Sequence, residues 1–139
     1  MALDIEARLP GAEGCVDPEN GKTRIGYIVY NCFREDLAKA VDPELGRLYA
    51  GYLWNNTEDR QLGGMLEKVS PALAKFLLMP DCDGLLTAQE ARQLHVVMDG
   101  LDKTAVDAVC REPNFSDVRA SLDKVLVCAV HHNSNIILY

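Results

Sequence analysis

The chain has 139 residues, is 48% hydrophobic and carries a formal net charge of −7. That length suffices for one domain with a core of its own, closed without disulfide or metal. The acidic balance lacks the basic stripe a nucleic-acid surface needs, and no run approaches the ~20 apolar residues of a membrane-spanning helix, so neither partner is expected.

The opening Met1–Glu6 carries acids early and has no apolar run of signal-peptide length, which points to a cytoplasmic protein. The five cysteines, Cys15, Cys32, Cys82, Cys110 and Cys128, are widely spaced and never form Cys-x-x-Cys. In a reducing compartment they are expected as free thiols, several of them buried as small apolar residues.

Residues 2 to 9 alternate, with Leu3, Ile5, Ala7 and Leu9 against Asp4, Glu6 and Arg8, the period of a half-buried strand. Pro10-Gly11, Asp17-Pro18 and Asn20-Gly21 mark a long polar loop. A second strand is predicted over Arg24 to Tyr30 from its β-branched and aromatic content, making a hairpin with the first. A helix then starts at Asn31 or Cys32, with Phe33, Leu37, Ala40 and Val41 at helical spacing. Asp42-Pro43 closes it and opens the next, lined by Leu45, Leu48, Tyr49, Tyr52 and Leu53.

Gly63-Gly64 weakens any helix across it. Ser70-Pro71 opens a short helix that Pro80 ends. The most secure helix runs from Thr87 to Leu101 on a stripe of Ala91, Leu94, Val97, Met98 and Leu101, and Thr87 with Glu90 has capping-box spacing. A short helix over Thr104 to Arg111 precedes Pro113, and another follows from Asn114 to about Ala129. Asn133-Ser134-Asn135 is a turn, and Ile136 to Tyr139 is a last strand that pairs best with the N-terminal hairpin. The expectation is a helix-dominant α+β single domain over residues 1–139. Its small antiparallel sheet is built from the N-terminal hairpin and the C-terminal strand.

The densest set of chemically capable side chains lies at residues 79–90. With Gly84 as sixth residue of an EF-hand-like loop, Asp81 and Asp83 take the third and fifth positions, Leu86 the apolar eighth and Glu90 the bidentate twelfth. Met79 stands where the first carboxylate belongs, so Ca2+ is a secondary reading and a capped helical turn the leading one. Aromatic residues crowd one third of the chain. Most are expected in the core, and Tyr49, Tyr52 and Trp54 are the candidates to line a pocket for a ligand or partner.

Cys82 or Cys110 with His95 has the composition of a nucleophilic pair. His131-His132 closes a helix whose dipole is explanation enough for histidines there; adjacent residues point apart on a helix, so the pair is not expected to chelate, and a transition metal with Asp123 or Cys128 as further ligands is a minor reading. A phosphate-cradling glycine loop, a Gly-x-Ser-x-Gly elbow and a His-Glu-x-x-His pair are all missing from the sequence.

Asp81-Cys82-Asp83-Gly84-Leu85-Leu86-Thr87-Ala88-Gln89-Glu90-Ala91 resembles the signature of a family of small uncharacterised bacterial proteins with an Asp-Cys-Asp-Gly core. The likeness is specific over residues 76 to 94, and Tyr30 to Glu35 is similar to that family's Tyr/Phe-Arg-Glu helix start. The resemblance implies a fold and no activity. Function is therefore expected to be non-enzymatic: an acidic, possible homo-oligomer that recognises a protein partner or a small ligand. A calcium-responsive module at 79–90 is the alternative, and a Cys/His enzyme comes third.

Overall fold

Alternation along the first strand puts Leu3, Ile5 and Ala7 on one face, and all three are fully buried. The computed structural model describes residues 1–57, 60–80 and 83–139. Its four strands are β1 (Ala2–Arg8), β2 (Lys22–Gly26), β3 (Gly84–Leu86) and β4 (Asn135–Leu138), paired antiparallel in the order β2-β1-β4-β3. Leu3 stands opposite Ile25, while Ala7 and Leu86 both stand opposite Ile136, so one face of the sheet is a continuous apolar row.

Among the described residues there are seven helices: α1 (Tyr27–Val41), α2 (Pro43–Asn55), α3 (Arg60–Leu66), α4 (Pro71–Leu78), α5 (Ala88–Asp99), α6 (Lys103–Val109) and α7 (Asn114–His132). Helices α7 and α5 lie against the sheet, α1 packs on α7, and α2 packs on α1. Aromatic rings lock these layers together. Phe33 of α1 stacks on Phe115 of α7 at 5.0 Å, and Tyr30 meets Phe76 of α4 edge-on at 5.8 Å. The domain is helix-dominant α+β with its sheet drawn from both chain ends, as the patterning implied.

Three expectations are corrected. The second strand stops at Gly26 instead of running to Tyr30, because Tyr30, Phe33 and Leu37 sit at helical spacing and are fully buried on one face of α1. Strand alternation fails at Ile28, which is 73% exposed. A helix also crosses Gly63-Gly64, anchored by the buried Leu62 and Leu66 on either side. Finally, residues 84–86 form a strand rather than a turn. Leu86 is buried against the sheet, and Gly84 is needed because a Cβ there would come within 2.3 Å of the Met79 sulfur.

Buried charge ties the helices to one another. Asp36 of α1 is fully buried and accepts from the Arg111 backbone at 2.9 Å and from its guanidinium at 3.0 and 3.1 Å. Arg34, two residues earlier on the helix, reaches under the C-terminal end of α4. It donates to the Phe76, Leu77 and Met79 carbonyls at 3.3, 3.3 and 2.8 Å.

Candidate metal centre

The loop between β1 and β2 is long, and its return leg is pinned before it reaches β2. The Val16 amide donates to the Ala7 carbonyl at 2.9 Å, and Ala7 donates to the Gly21 carbonyl at 2.7 Å. Between them Asp17 folds the chain as its own turn. Its Oδ1 accepts from the Glu19 and Asn20 amides at 3.1 and 3.3 Å, and its Oδ2 accepts from the Asn20 side chain at 3.2 Å. Asp, Asn and Gly cluster here because short polar side chains and bare backbone close tight turns. Lys124 of α7 donates to the Glu19 carbonyl at 3.3 Å, so the loop rests on that helix.

Beneath the loop runs the last part of α7, where Cys128 and His132 are four residues apart and share one helix face. The helix ends at Asn133, in the left-handed conformation at φ 51°. A ligand atom from each of Asp17, Cys128 and His132 lies within 4.8 Å of the other two. A tetrahedral ion with bonds of 2.0–2.3 Å spaces its ligands about 3.3–3.8 Å apart, so the trio has to draw in by up to about 1–1.5 Å to bond one.

The electrostatics around the trio suit a cation. Hydrogen bonds from the Asn20 side chain and backbone hold the Asp17 carboxyl below its usual range, with the neighbouring His132 contributing. Burial pushes the Cys128 thiol up, and the nearby Asp17 and Cys15 push it further. A coordinated cation reverses that balance, since a coordinating thiol is deprotonated. The carbonyl end of α7 adds a favourable potential for positive charge. Beside the trio opens a recess of about 380 Å³, lined also by Asn20, Lys124, Val127 and His131.

Cys15 stands next to this trio without belonging to it. Its sulfur donates to the Asp17 carbonyl at 3.3 Å. A Cβ placed on Gly21 would lie 3.0 Å from the Cys128 sulfur, 3.1 Å from the Cys15 sulfur and 2.8 Å from the Asp17 carbonyl. Gly21 thus makes room for two thiols to converge over its backbone.

The residues singled out from the sequence are distributed differently. Asp81 and Cys82 lie outside the described residues, and with them the Cys82–His95 pair. Asp83 is exposed. Glu90 is committed to α5: its Oε1 accepts from the Thr87 amide at 2.9 Å and from Lys75 at 2.7 Å, while Thr87 accepts from the Glu90 amide at 3.2 Å. Tyr49 is fully buried and donates to the Leu77 carbonyl at 2.7 Å. Tyr52 borders a recess of about 320 Å³ with Arg34, Leu53 and Asn56, and Trp54 donates to Glu35. The Tyr49 and Tyr52 rings stand 6.1 Å apart, and of the three aromatics only Tyr52 lines that recess.

His95 pairs with Asp123 at 2.6 Å through Nδ1. Cys110 sits against the Asp36 carbonyl at 3.7 Å, and burial, with Asp36 next, pushes its thiol up to about 12. That is the opposite of nucleophile activation. Of the histidine pair at the end of α7, His132 joins Cys128, while Asp123 serves His95 instead. The Cys128–His132 spacing was visible in the sequence. Asp17 was not, because only the fold carries the β1–β2 loop onto α7.

Comparison of the chain with protein-family models, with curated proteins and with solved structures found no match. Function is accordingly a matter of the geometry.

Proposed function

We propose that this is a non-enzymatic binding protein whose ligand is a thiophilic divalent cation of the zinc class, held by Asp17, Cys128 and His132. The observation that carries the proposal is the mutual approach, within 4.8 Å, of one carboxylate, one thiol and one imidazole from two separate elements. The donor set selects the ion. Thiolate with imidazole suits zinc and its transition-metal neighbours, whereas calcium and magnesium require an all-oxygen shell. The recess beside the trio has room for water or a donor from a bound molecule as a further ligand.

Titration of the reduced, metal-free chain with cobalt(II) tests this. A near-ultraviolet sulfur-to-cobalt charge-transfer band is expected, to be abolished in Cys128→Ser, weakened in His132→Gln and displaced by zinc. Zinc also raises the melting temperature, since an ion at 100 times its Kd adds about 2.7 kcal/mol to the folded state. No charge-transfer band and no thermal shift at millimolar zinc would overturn the proposal.

A further inference from the structure

We propose that Cys15 makes this site redox-gated: oxidation of Cys15 and Cys128 to an intramolecular disulfide removes the sulfur ligand and releases the cation. The release rests on the cation reading above, whereas the pairing of the two thiols does not.

Three observations carry it. The two sulfurs converge over Gly21, at 3.1 and 3.0 Å from the position its missing Cβ would take. They belong to different roles, since Cys128 is in the Asp17–His132 trio and Cys15 is only its neighbour. They also differ in access. Cys15 is half-buried in the loop, and Cys128 is 6% exposed beneath it. An oxidant therefore meets Cys15 first, and Cys128 is placed to resolve what forms there.

With a disulfide such as oxidised glutathione the chemistry balances. The Cys15 thiolate attacks one sulfur, the glutathione S–S bond breaks, and one glutathione leaves as thiolate. The Cys128 thiolate then attacks the Cys15 sulfur of the mixed disulfide and expels the second glutathione. The protein loses two electrons and two thiol protons, and oxidised glutathione takes up both to become two thiols. Cys128 now has no thiolate to offer a metal, because the thiolate and not the disulfide is the ligand. Asp17 and His132 remain, and two ligands do not hold a zinc-class ion that normally takes three or four. A thiol reductant reverses the step.

The experiment uses the full chain loaded with zinc and treated with oxidised glutathione. It reads zinc release with a chromogenic chelator and bonding by intact mass and peptide mapping. The expected result is loss of one equivalent of zinc with a mass decrease of about 2 Da, peptides containing residues 15 and 128 joined, and recovery on adding dithiothreitol. Cys15→Ser should bind zinc as tightly as the parent and retain it under the same oxidation. Release from Cys15→Ser at the parent rate overturns the gate, as does a peptide map joining other cysteines. A Cys15→Ser chain that cannot hold zinc overturns it too, making Cys15 a ligand instead. If the parent binds no zinc the metal reading fails, and mapping of the oxidised chain still decides whether Cys15 and Cys128 pair.

Discussion

Replacing Arg34 by Met keeps most of its volume and removes all its donors, which isolates what the guanidinium does at the end of α4. Arg34 is 2% exposed, and it lies 4.7 Å from the Tyr30 ring centroid. Its Nη2 donates to Asn31 at 2.6 Å, and Nη1 serves the three carbonyls at the end of α4. Not all of them suffer equally when it is lost. The Leu77 carbonyl keeps the Tyr49 hydroxyl at 2.7 Å, and the Phe76 carbonyl keeps the Met79 amide at 3.4 Å. The Met79 carbonyl, which holds the shortest of the three bonds, is the main casualty. A buried acceptor deprived of a charged donor costs roughly 1.5–3 kcal/mol, and the lost ring contact adds up to ~1.

The expected destabilisation is about 3 kcal/mol. With an unfolding entropy of about 2 cal/mol/K per residue, this lowers Tm by about 10 °C. Urea denaturation monitored by tryptophan fluorescence measures it directly, with unchanged m-value as the check that folding remains two-state. Arg34→Lys should fall between the two, since a single ammonium cannot span three carbonyls. A loss below about 1 kcal/mol for Arg34→Met would refute the assignment of Arg34 as the C-terminal clamp of α4.

Four further outcomes follow from the contacts described. Arg111→Ala should cost about 3 kcal/mol in chemical denaturation, because it leaves the fully buried Asp36 carboxylate without its guanidinium; Asp36→Ala should cost less, since the Arg111 side chain is 51% exposed and can turn to water, and the double variant should cost less than their sum. At Glu35 burial works to raise the carboxyl pKa, but hydrogen bonds from Lys39 and Trp54 and the Arg111 charge outweigh it and leave it lowered. Its stabilising contribution is therefore present above the unfolded value of about 4.3 and lost as pH falls through the folded value; Glu35→Gln should flatten that acid limb of a pH-dependent melt. Thr87→Ala should cost about 1 kcal/mol by removing half of the capping box. Millimolar calcium should leave the melting temperature of the parent unchanged, because the Glu90 oxygen is already taken by Thr87 and Lys75; a calcium-induced rise would refute that.

Much of the fold could be read locally. Alternation at Leu3, Ile5 and Ala7, the Asp42-Pro43 break and the Thr87/Glu90 box each carry their own physical signal within a few residues. What escaped was either ambiguous or non-local. Arg24 to Tyr30 satisfied strand composition, and only the tertiary demand to bury Tyr30 with Phe33 and Leu37 turned Tyr27 onward into helix. Gly84–Leu86 is too short to show a period, and its pairing with β4 is set more than a third of the chain away. The metal centre divides in the same manner: Cys128 and His132 share a helix face that spacing alone reveals, whereas Asp17 and Cys15 reach them only through the turn chemistry of a loop resting on α7.

The strand order has a consequence for how the molecule is made. β1 is the second strand of the sheet by position, yet one of its two neighbours, β4, follows every other described element along the chain. Until Asn135–Leu138 leave the ribosome, β1 and β3 each present a bare hydrogen-bonding edge to the cell, the condition under which strands recruit wrong partners. The loop closed by the Asp4–Tyr139 backbone pair, bonded at 2.7 and 2.9 Å, is almost the whole chain. Such long-range closure slows folding relative to a helical protein of the same size. A chaperone that shields bare strand edges would thus act on the β1–β2 hairpin and on β3 in the interval before β4 is available to pair with them.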